Sequence, residues 1–258
     1  MSIDTVRTVE EIPRIARSSD AREVALAAYD HLLALLERLE PDEWAAPTEC
    51  PAWDVGAMVG HLIGAGKAGA SIRESLRQQR WGRRNAAAFD GNTLDATNAL
   101  QVADHAGLSR EERLAALRAV AAPAVRGRMR LPALLRRVSV PLDQGGSTAP
   151  GMPDRLGLGA LVDVVYTRDV WLHRVDISRA TSRRLDLGPT DARIVADVVA
   201  EWAARHHRPF HLTLTGAAGG QFRQDRGGPH LTRDAVEFCR TLSGRAPGEG
   251  LLATRVVF

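Results

Sequence analysis

Apolar residues recur at helical spacing along the first two thirds of the chain, and this pattern predicts a bundle of helices. Pro41 ends the first helix, and Asp54 is placed to cap the second. The main predicted helices lie at about 24–39, 55–77, 110–126 and 156–182, with a short helix at 94–105. Four main helices joined by short turns and one longer, irregular crossing predict an up-and-down bundle.

The pattern changes after Arg184. A helix is predicted at 190–206, followed by period-two alternation at 211–216, further short strands around two Gly-Gly turns, and a helix at 234–242. The tail, 251–258, is predicted to form a last strand. We therefore expect a mainly α protein with two domains: a helical bundle over 1–185 and a small α+β domain over 186–258.

The last bundle helix combines an apolar stripe with three polar residues. Asp169, His173 and Asp176 continue the stripe that begins with leucines and valines. Burying such groups without partners costs several kcal/mol. Asp169 and His173, at positions i and i+4, can bind one metal ion from one helix face. A hydrogen-bonded Asp–His pair at the solvent end of the bundle is the alternative.

His61 is the third candidate ligand, on the apolar face of the second helix. The alternative is a core histidine with a satisfied hydrogen bond. Three protein ligands would leave the fourth position of a tetrahedral site open, as in catalytic zinc sites. For Asp176 two roles remain open: it can orient a ligand histidine, or it can form a salt bridge at the helix end with Arg174 or Arg179.

The composition is that of an ordinary globular protein, and its charge argues against nucleic-acid binding. Of 34 basic residues only Lys67 is a lysine, yet the formal net charge is only +3. This arginine bias, with alanine-rich helices, points to a high-GC genome. We expect the densest basic run to form a solvated helix end and loop; it comprises Arg126, Arg128, Arg130, Arg136 and Arg137.

Two features of the sequence indicate the cellular compartment of the protein. Cys50 and Cys239 lie far apart, without a metal-type spacing, and Cys50 is expected to pack in its turn. The chain opens on no charged-then-apolar leader, and no apolar run approaches the ~18 residues of a membrane span. We expect a cytoplasmic protein with reduced thiols that binds neither membranes nor nucleic acids.

Two segments resemble the signatures of a known family. Residues 48–54 (TECPAWD), followed by His61-Leu62, resemble the T-x-C-P-x-W…H-L signature of the mycothiol-dependent maleylpyruvate isomerase family. Residues 169–176 (DVWLHRVD) are similar to that family's second signature, an acid and a histidine at i, i+4 followed by Asp. The tail, at 214–216, 234–238 and 242–245, resembles its C-terminal domain.

The resemblance implies a DinB-like, metal-binding four-helix bundle followed by a small sterol-carrier-like α/β domain. The family's zinc ligands carry over to His61, Asp169 and His173, and its functional arginine to Arg245. The acidic ligand in the family is Glu, whereas this chain has the shorter Asp169. That departure leaves open whether a metal is bound, how strongly, and which one.

The activity implied is that of an isomerase or S-transferase. Mycothiol would place its sulfur on a divalent metal, most simply zinc, and add to a small unsaturated substrate whose carboxylate is held by Arg245. The expected partners are therefore a small-molecule substrate and a low-mass thiol, with the protein a monomer or homodimer. Two alternatives are a metal-dependent biosynthetic enzyme that uses no thiol, and a non-catalytic binding protein whose metal site has decayed.

Overall fold

The computed structural model describes residues 6–16, 18–142 and 152–258. The helices are α1 (Ala21–Leu36), α2 (Val55–Ala70), α3 (Ile72–Asn85), α4 (Thr93–Ala103), α5 (Arg110–Met129), α6 (Ala133–Arg136), α7 (Leu158–Ala160), α8 (Tyr166–Ala180), α9 (Pro189–His206) and α10 (Ala235–Ser243). The strands are β1 (Arg7–Thr8), β2 (Ser139–Pro141), β3 (Arg155–Gly157), β4 (Phe210–Thr215), β5 (Gly220–Gln224) and β6 (His230–Asp234). The predicted class, mainly α with a small α+β part, is confirmed.

The described chain divides into two compact units. The helical unit comprises 25–142 and 154–185, and the mixed unit comprises 6–16, 18–24, 152–153 and 186–258. Along the chain, the helical unit ends at 185 and the mixed unit resumes at 186. The N-terminal segment, which we expected with the bundle, groups with the mixed unit, because β1 pairs in parallel with β5 there and Val9, Ile12 and Ile15 are buried.

The core of the helical unit is supplied by four helices, α1, α2, α5 and α8. Helices α2 and α5 approach each other closely because small residues face one another. A Cβ atom on Gly66 would lie 2.8 Å from Val120, and one on Gly127 would lie 2.2 Å from the carbonyl oxygen of Gly69. The close approach brings polar side chains of α2 and α5 into the same interior.

Local hydrogen bonds set where α2 begins and ends. The side chain of Asp54 accepts a hydrogen bond of 2.7 Å from the backbone N–H of Ala57, the cap that the sequence predicts. The predicted single helix at 55–77 is wrong, because Ser71 has extended backbone angles and caps α3 through the N–H of Glu74. Helix α2 therefore ends at Ala70, nine residues after His61.

Helix α8 continues a longer helical segment that contains a wider turn. Helix α7 runs into a π-helical turn at Leu161–Val165, and α8 follows without a break. A π turn adds one residue to the helix and changes which residues face the core. Asp163 is buried as a result and pairs with Arg136 of α6.

The mixed unit is a four-stranded sheet with the order β1-β5-β4-β6, accompanied by α9 and α10. Strand β4 is antiparallel to β5 and parallel to β6. The predicted last strand is wrong: the tail forms a 3-10 turn at Gly250–Ala253 and then an extended segment. The N–H of Val256 and the side chain of Arg255 donate to the last carbonyls of α10, so the tail pairs with a helix end.

Among the described residues, no helix combines the length and the apolar character needed to cross a bilayer.

The packing of α2 on α5 leads to a stability prediction. We expect Gly127→Ala to lower the free energy of unfolding by about 1–3 kcal/mol, because the new methyl group meets the α2 backbone, which cannot rotate away. The control is Gly107→Ala, where the added Cβ would meet nothing within 4 Å. Urea unfolding of both variants measures the difference, and equal stabilities would contradict the close approach.

Candidate functional site

The structure brings together three side chains that the sequence singles out, from α2 and α8. The Nε2 atom of His61 lies 3.5 Å from one carboxylate oxygen of Asp169, and Nε2 of His173 lies 3.2 Å from the other. One candidate ligand atom from each residue lies within 4.8 Å of the other two. Both histidines are 6% exposed, while the Asp169 side chain is 25% exposed. The three residues form one buried group that is open on the carboxylate side.

A chain of amide hydrogen bonds determines which nitrogen of His61 carries the proton. The Nε2 amide of Gln78 donates to the carbonyl of Gly64 (2.9 Å) and to Glu74 (2.8 Å), and both of these can only accept. The oxygen of Gln78 therefore accepts from the amide nitrogen of Gln101 at 2.8 Å. The oxygen of Gln101 then faces Nδ1 of His61 at 2.8 Å, so Nδ1 is the donor.

We call this pair of amides, Gln78 and Gln101, the glutamine relay. It leaves Nε2 of His61 unprotonated when the ring is neutral. That atom is buried and has no hydrogen-bond partner among the described residues. A buried acceptor without a partner is costly and uncommon in a folded protein. A lone pair of this kind, beside a carboxylate and a second imidazole, is the arrangement of a metal ligand.

Trp53 forms one wall of the site. Its ring stacks on the imidazole of His61 with centroids 4.9 Å apart and an interplanar angle of 29°. Its centroid also lies 6.0 Å from that of His173. The turn that places Trp53 is closed by Thr48, whose hydroxyl donates to the carbonyl of Trp53 at 2.8 Å. The tryptophan excludes water from one side of both histidines.

Asp176 contacts the far nitrogen of His173. Its carboxylate is fully buried and lies 2.9 Å from Nδ1 of the imidazole. Arg179 hydrogen-bonds Glu49 at 3.0 Å, and the role of Asp176 stays a prediction. Cys50, His173 and Asp176 also form a group of metal-type donors. In that second group the imidazole already uses Nδ1 to bind Asp176.

The electrostatics of the group favour a charged pair when no metal is present. Burial alone would raise the pKa of Asp169, but the charge and the hydrogen bond of His173 hold that pKa well below its usual range. Burial likewise opposes protonation of His173, yet Asp169 and Asp176 together raise its pKa to about 9. Near neutral pH the metal-free site therefore contains a carboxylate and an imidazolium.

Sequence reasoning missed several residues of this region. The glutamines and Trp53 have no spacing that marks them as partners of His61. Arg128 is a clearer omission. The predicted solvated basic run is correct for Arg126, Arg130 and Arg137, which are exposed. It is wrong for Arg128, which is 4% exposed, and for Arg136, whose side chain is 10% exposed and pairs with Asp163. The signal was available, because Arg128 follows Leu117, Ala121 and Ala124 on the buried stripe of α5.

Arg245 belongs to the mixed unit, whereas the histidine group belongs to the helical unit. It follows Gly244, which ends α10 in a left-handed conformation, and its backbone N–H donates to the carbonyl of Arg240 at 2.9 Å. The side chain of Arg245 is half-buried. Its role stays a prediction from the resemblance.

Comparison with known proteins identifies one family and one fold. The model of the family described as mycothiol maleylpyruvate isomerase N-terminal domain matches residues 25–178. The chain is similar to the crystal structure of the mycothiol-dependent maleylpyruvate isomerase, with a TM-score of 0.53, 15% identity and 93% of each chain covered. A mutant of that enzyme matches equally well, at 14% identity. No curated protein matches the chain.

The raised pKa of His173 makes the stability of the metal-free protein depend on pH. Because the folded value is about 9 against an ordinary 6.5, the pair with Asp169 stabilises the fold fully below pH 6.5, and this contribution is lost as the pH rises through about 9. We expect the difference in unfolding free energy between the parent and His173→Gln to shrink between about pH 6 and about pH 10. Urea titrations of metal-free protein measure it, and a constant difference would contradict the ion pair.

Proposed function

The chain belongs to the mycothiol maleylpyruvate isomerase N-terminal domain family, and we propose that it is a metal-dependent enzyme that uses a low-mass thiol, mycothiol, on a small unsaturated carboxylate. The observation that supports this most directly is the buried Nε2 atom of His61 beside Asp169 and His173, which no described residue hydrogen-bonds. An isomerase or an S-transferase fits this site. The crystal structures that share the fold are those of a mycothiol-dependent isomerase.

The donors present fit a zinc ion. Two imidazole nitrogens and one carboxylate are a recurring ligand set of catalytic zinc, in which a fourth position stays open. The shorter side chain of Asp169 does not prevent this, because its two oxygens already lie 3.5 and 3.2 Å from the two imidazoles. His61, Asp169 and His173 are the residues we assign as ligands.

When bound, a zinc ion with an open position lowers the pKa of a thiol that binds there, which yields a thiolate near neutral pH. The surrounding residues prepare the site. Gln101 keeps the proton of His61 on Nδ1, and Asp176 does the same for His173, so that both Nε2 atoms face inward. Trp53 shields one side from water.

Arg245 is assigned by resemblance to the substrate carboxylate, for which a planar guanidinium is well shaped. The thiol requirement is tested separately from the metal. Turnover of an unsaturated carboxylic acid should require mycothiol and should stop in protein freed of low-mass thiols. Turnover without any thiol would favour a metal enzyme of another mechanism.

The metal assignment predicts the composition of the purified protein. We expect about one divalent metal per chain, and expect that His61→Ala or His173→Ala removes it, because each leaves only two ligands. The control is His211→Ala, on β4 of the mixed unit. Elemental analysis measures the metal. Unchanged metal content in both site variants would remove the proposal.

The glutamine relay predicts that a residue outside the set of metal ligands also affects metal affinity, but less than a ligand does. We expect Gln101→Leu to lower metal affinity by about 10- to 100-fold, since Nδ1 of His61 loses its acceptor and the proton can move to Nε2. The control is Gln79→Leu, an exposed glutamine on α3. Competition with a chelator measures both affinities, and an unchanged affinity in Gln101→Leu would contradict the relay.

A further inference from the structure

The guanidinium of Arg128 is a buried cation that has no hydrogen-bonded partner in the described part of the chain. The residue is 4% exposed, and all three nitrogens of its guanidinium are buried without a hydrogen bond to any described residue. A buried guanidinium normally has a carboxylate or several carbonyls around it, because its desolvation is otherwise uncompensated. The other helix-end arginines of this run, Arg126 and Arg130, are exposed and need no such partner.

The surroundings of Arg128 are those of the candidate metal site. The guanidinium lies over the ring of Tyr166, 5.7 Å from its centroid, and Tyr166 precedes Asp169 by one turn of α8. Burial raises the pKa of Tyr29 and of Tyr166, and in both cases Asp169 adds to this while Arg128 opposes it. The charges of Arg128 and Asp169 therefore both act on the hydroxyl groups of these two tyrosines.

Polar groups from all four core helices thus lie in the interior of one bundle. They are Tyr29 of α1, His61 of α2, Arg128 of α5, and the residues of α8. His61 and Asp169 are assigned as ligands of the metal. The guanidinium of Arg128 has no role in that site. An unused positive charge beside a catalytic group is the feature expected of a site for an anionic ligand.

We propose that Arg128 binds a second carboxylate of the substrate, other than the one assigned to Arg245, inside the bundle and next to the histidine group; the assignment rests on the proposed function. A guanidinium presents two parallel N–H donors that match the two oxygens of a carboxylate. A carboxylate is favoured over a phosphate because the proposed substrate is an unsaturated carboxylic acid, whose planar group pairs with the guanidinium. Tyr166, which is 36% exposed, lies against the guanidinium.

The experiment uses the purified full chain and maleate, an unsaturated dicarboxylate, as the probe. We expect maleate to raise the Tm of the parent protein and of Arg126→Met, but not that of Arg128→Met. Arg128→Met should fold, because an apolar side chain of similar length replaces an unpaired buried charge. Arg128→Lys keeps the charge and loses the paired donors, so calorimetry should show maleate binding about 10- to 100-fold weaker.

Each outcome decides the proposal. An equal Tm rise in the parent and in Arg128→Met, or no rise in the parent, overturns it. If Arg128→Met does not fold, unchanged maleate affinity in Arg128→Lys overturns it. A rise with phosphate as large as that with maleate overturns the assignment to a carboxylate. Metal content, measured on the same samples, tests the proposed function alone: parent protein without metal removes that function whatever maleate does.

Discussion

The site depends on one constraint, the fixed proton on Nδ1 of His61. The carbonyl of Gly64 and the carboxylate of Glu74 can only accept hydrogen bonds, and this orients the amide of Gln78 and then that of Gln101. The last acceptor in the relay takes the imidazole proton. The inward-facing nitrogen is left as a buried lone pair, which a hydrogen bond would normally satisfy. The fold retains this costly atom within reach of Asp169 and His173.

The helical bundle places other polar groups around the inward-facing nitrogen of His61. Glycines between α2 and α5 allow the two backbones to approach, so side chains of both helices reach the same interior. The π turn before α8 adds a residue ahead of Asp169 and so changes which residues of that segment are buried. Functional sites often lie beside such turns. The interior then contains two imidazoles, a carboxylate and a guanidinium that no described residue hydrogen-bonds, a combination suited to a metal and an anion together.

The sequence predicts the features that depend on local spacing. Capping residues such as Asp54 and Ser109 mark helix starts because their side chains bond to N–H groups three residues away. His61, Asp169 and His173 were found from helical periodicity and from resemblance. The glutamine relay could not be found in this way, since its two amides come from different helices and no spacing links them to His61.

The other wrong predictions from the sequence also have physical causes. The break at Ser71 was missed because its neighbours continue a helical pattern, while the serine itself adopts an extended conformation. The prediction of a last strand is wrong because the tail instead donates hydrogen bonds to carbonyl groups at the end of α10. Arg128 was assigned to solvent from its charge, although its position on the stripe of Leu117 and Ala124 indicated burial. Residue type was given too much weight there, and position too little.

The most direct measurement of the central claim is anomalous diffraction at the zinc edge from crystals of the protein purified with its metal. We expect one anomalous peak per chain, bonded to Nε2 of His61, to Nε2 of His173 and to the carboxylate of Asp169. A peak among Cys50, His173 and Asp176 instead, or no peak within bonding distance of His61, would contradict it.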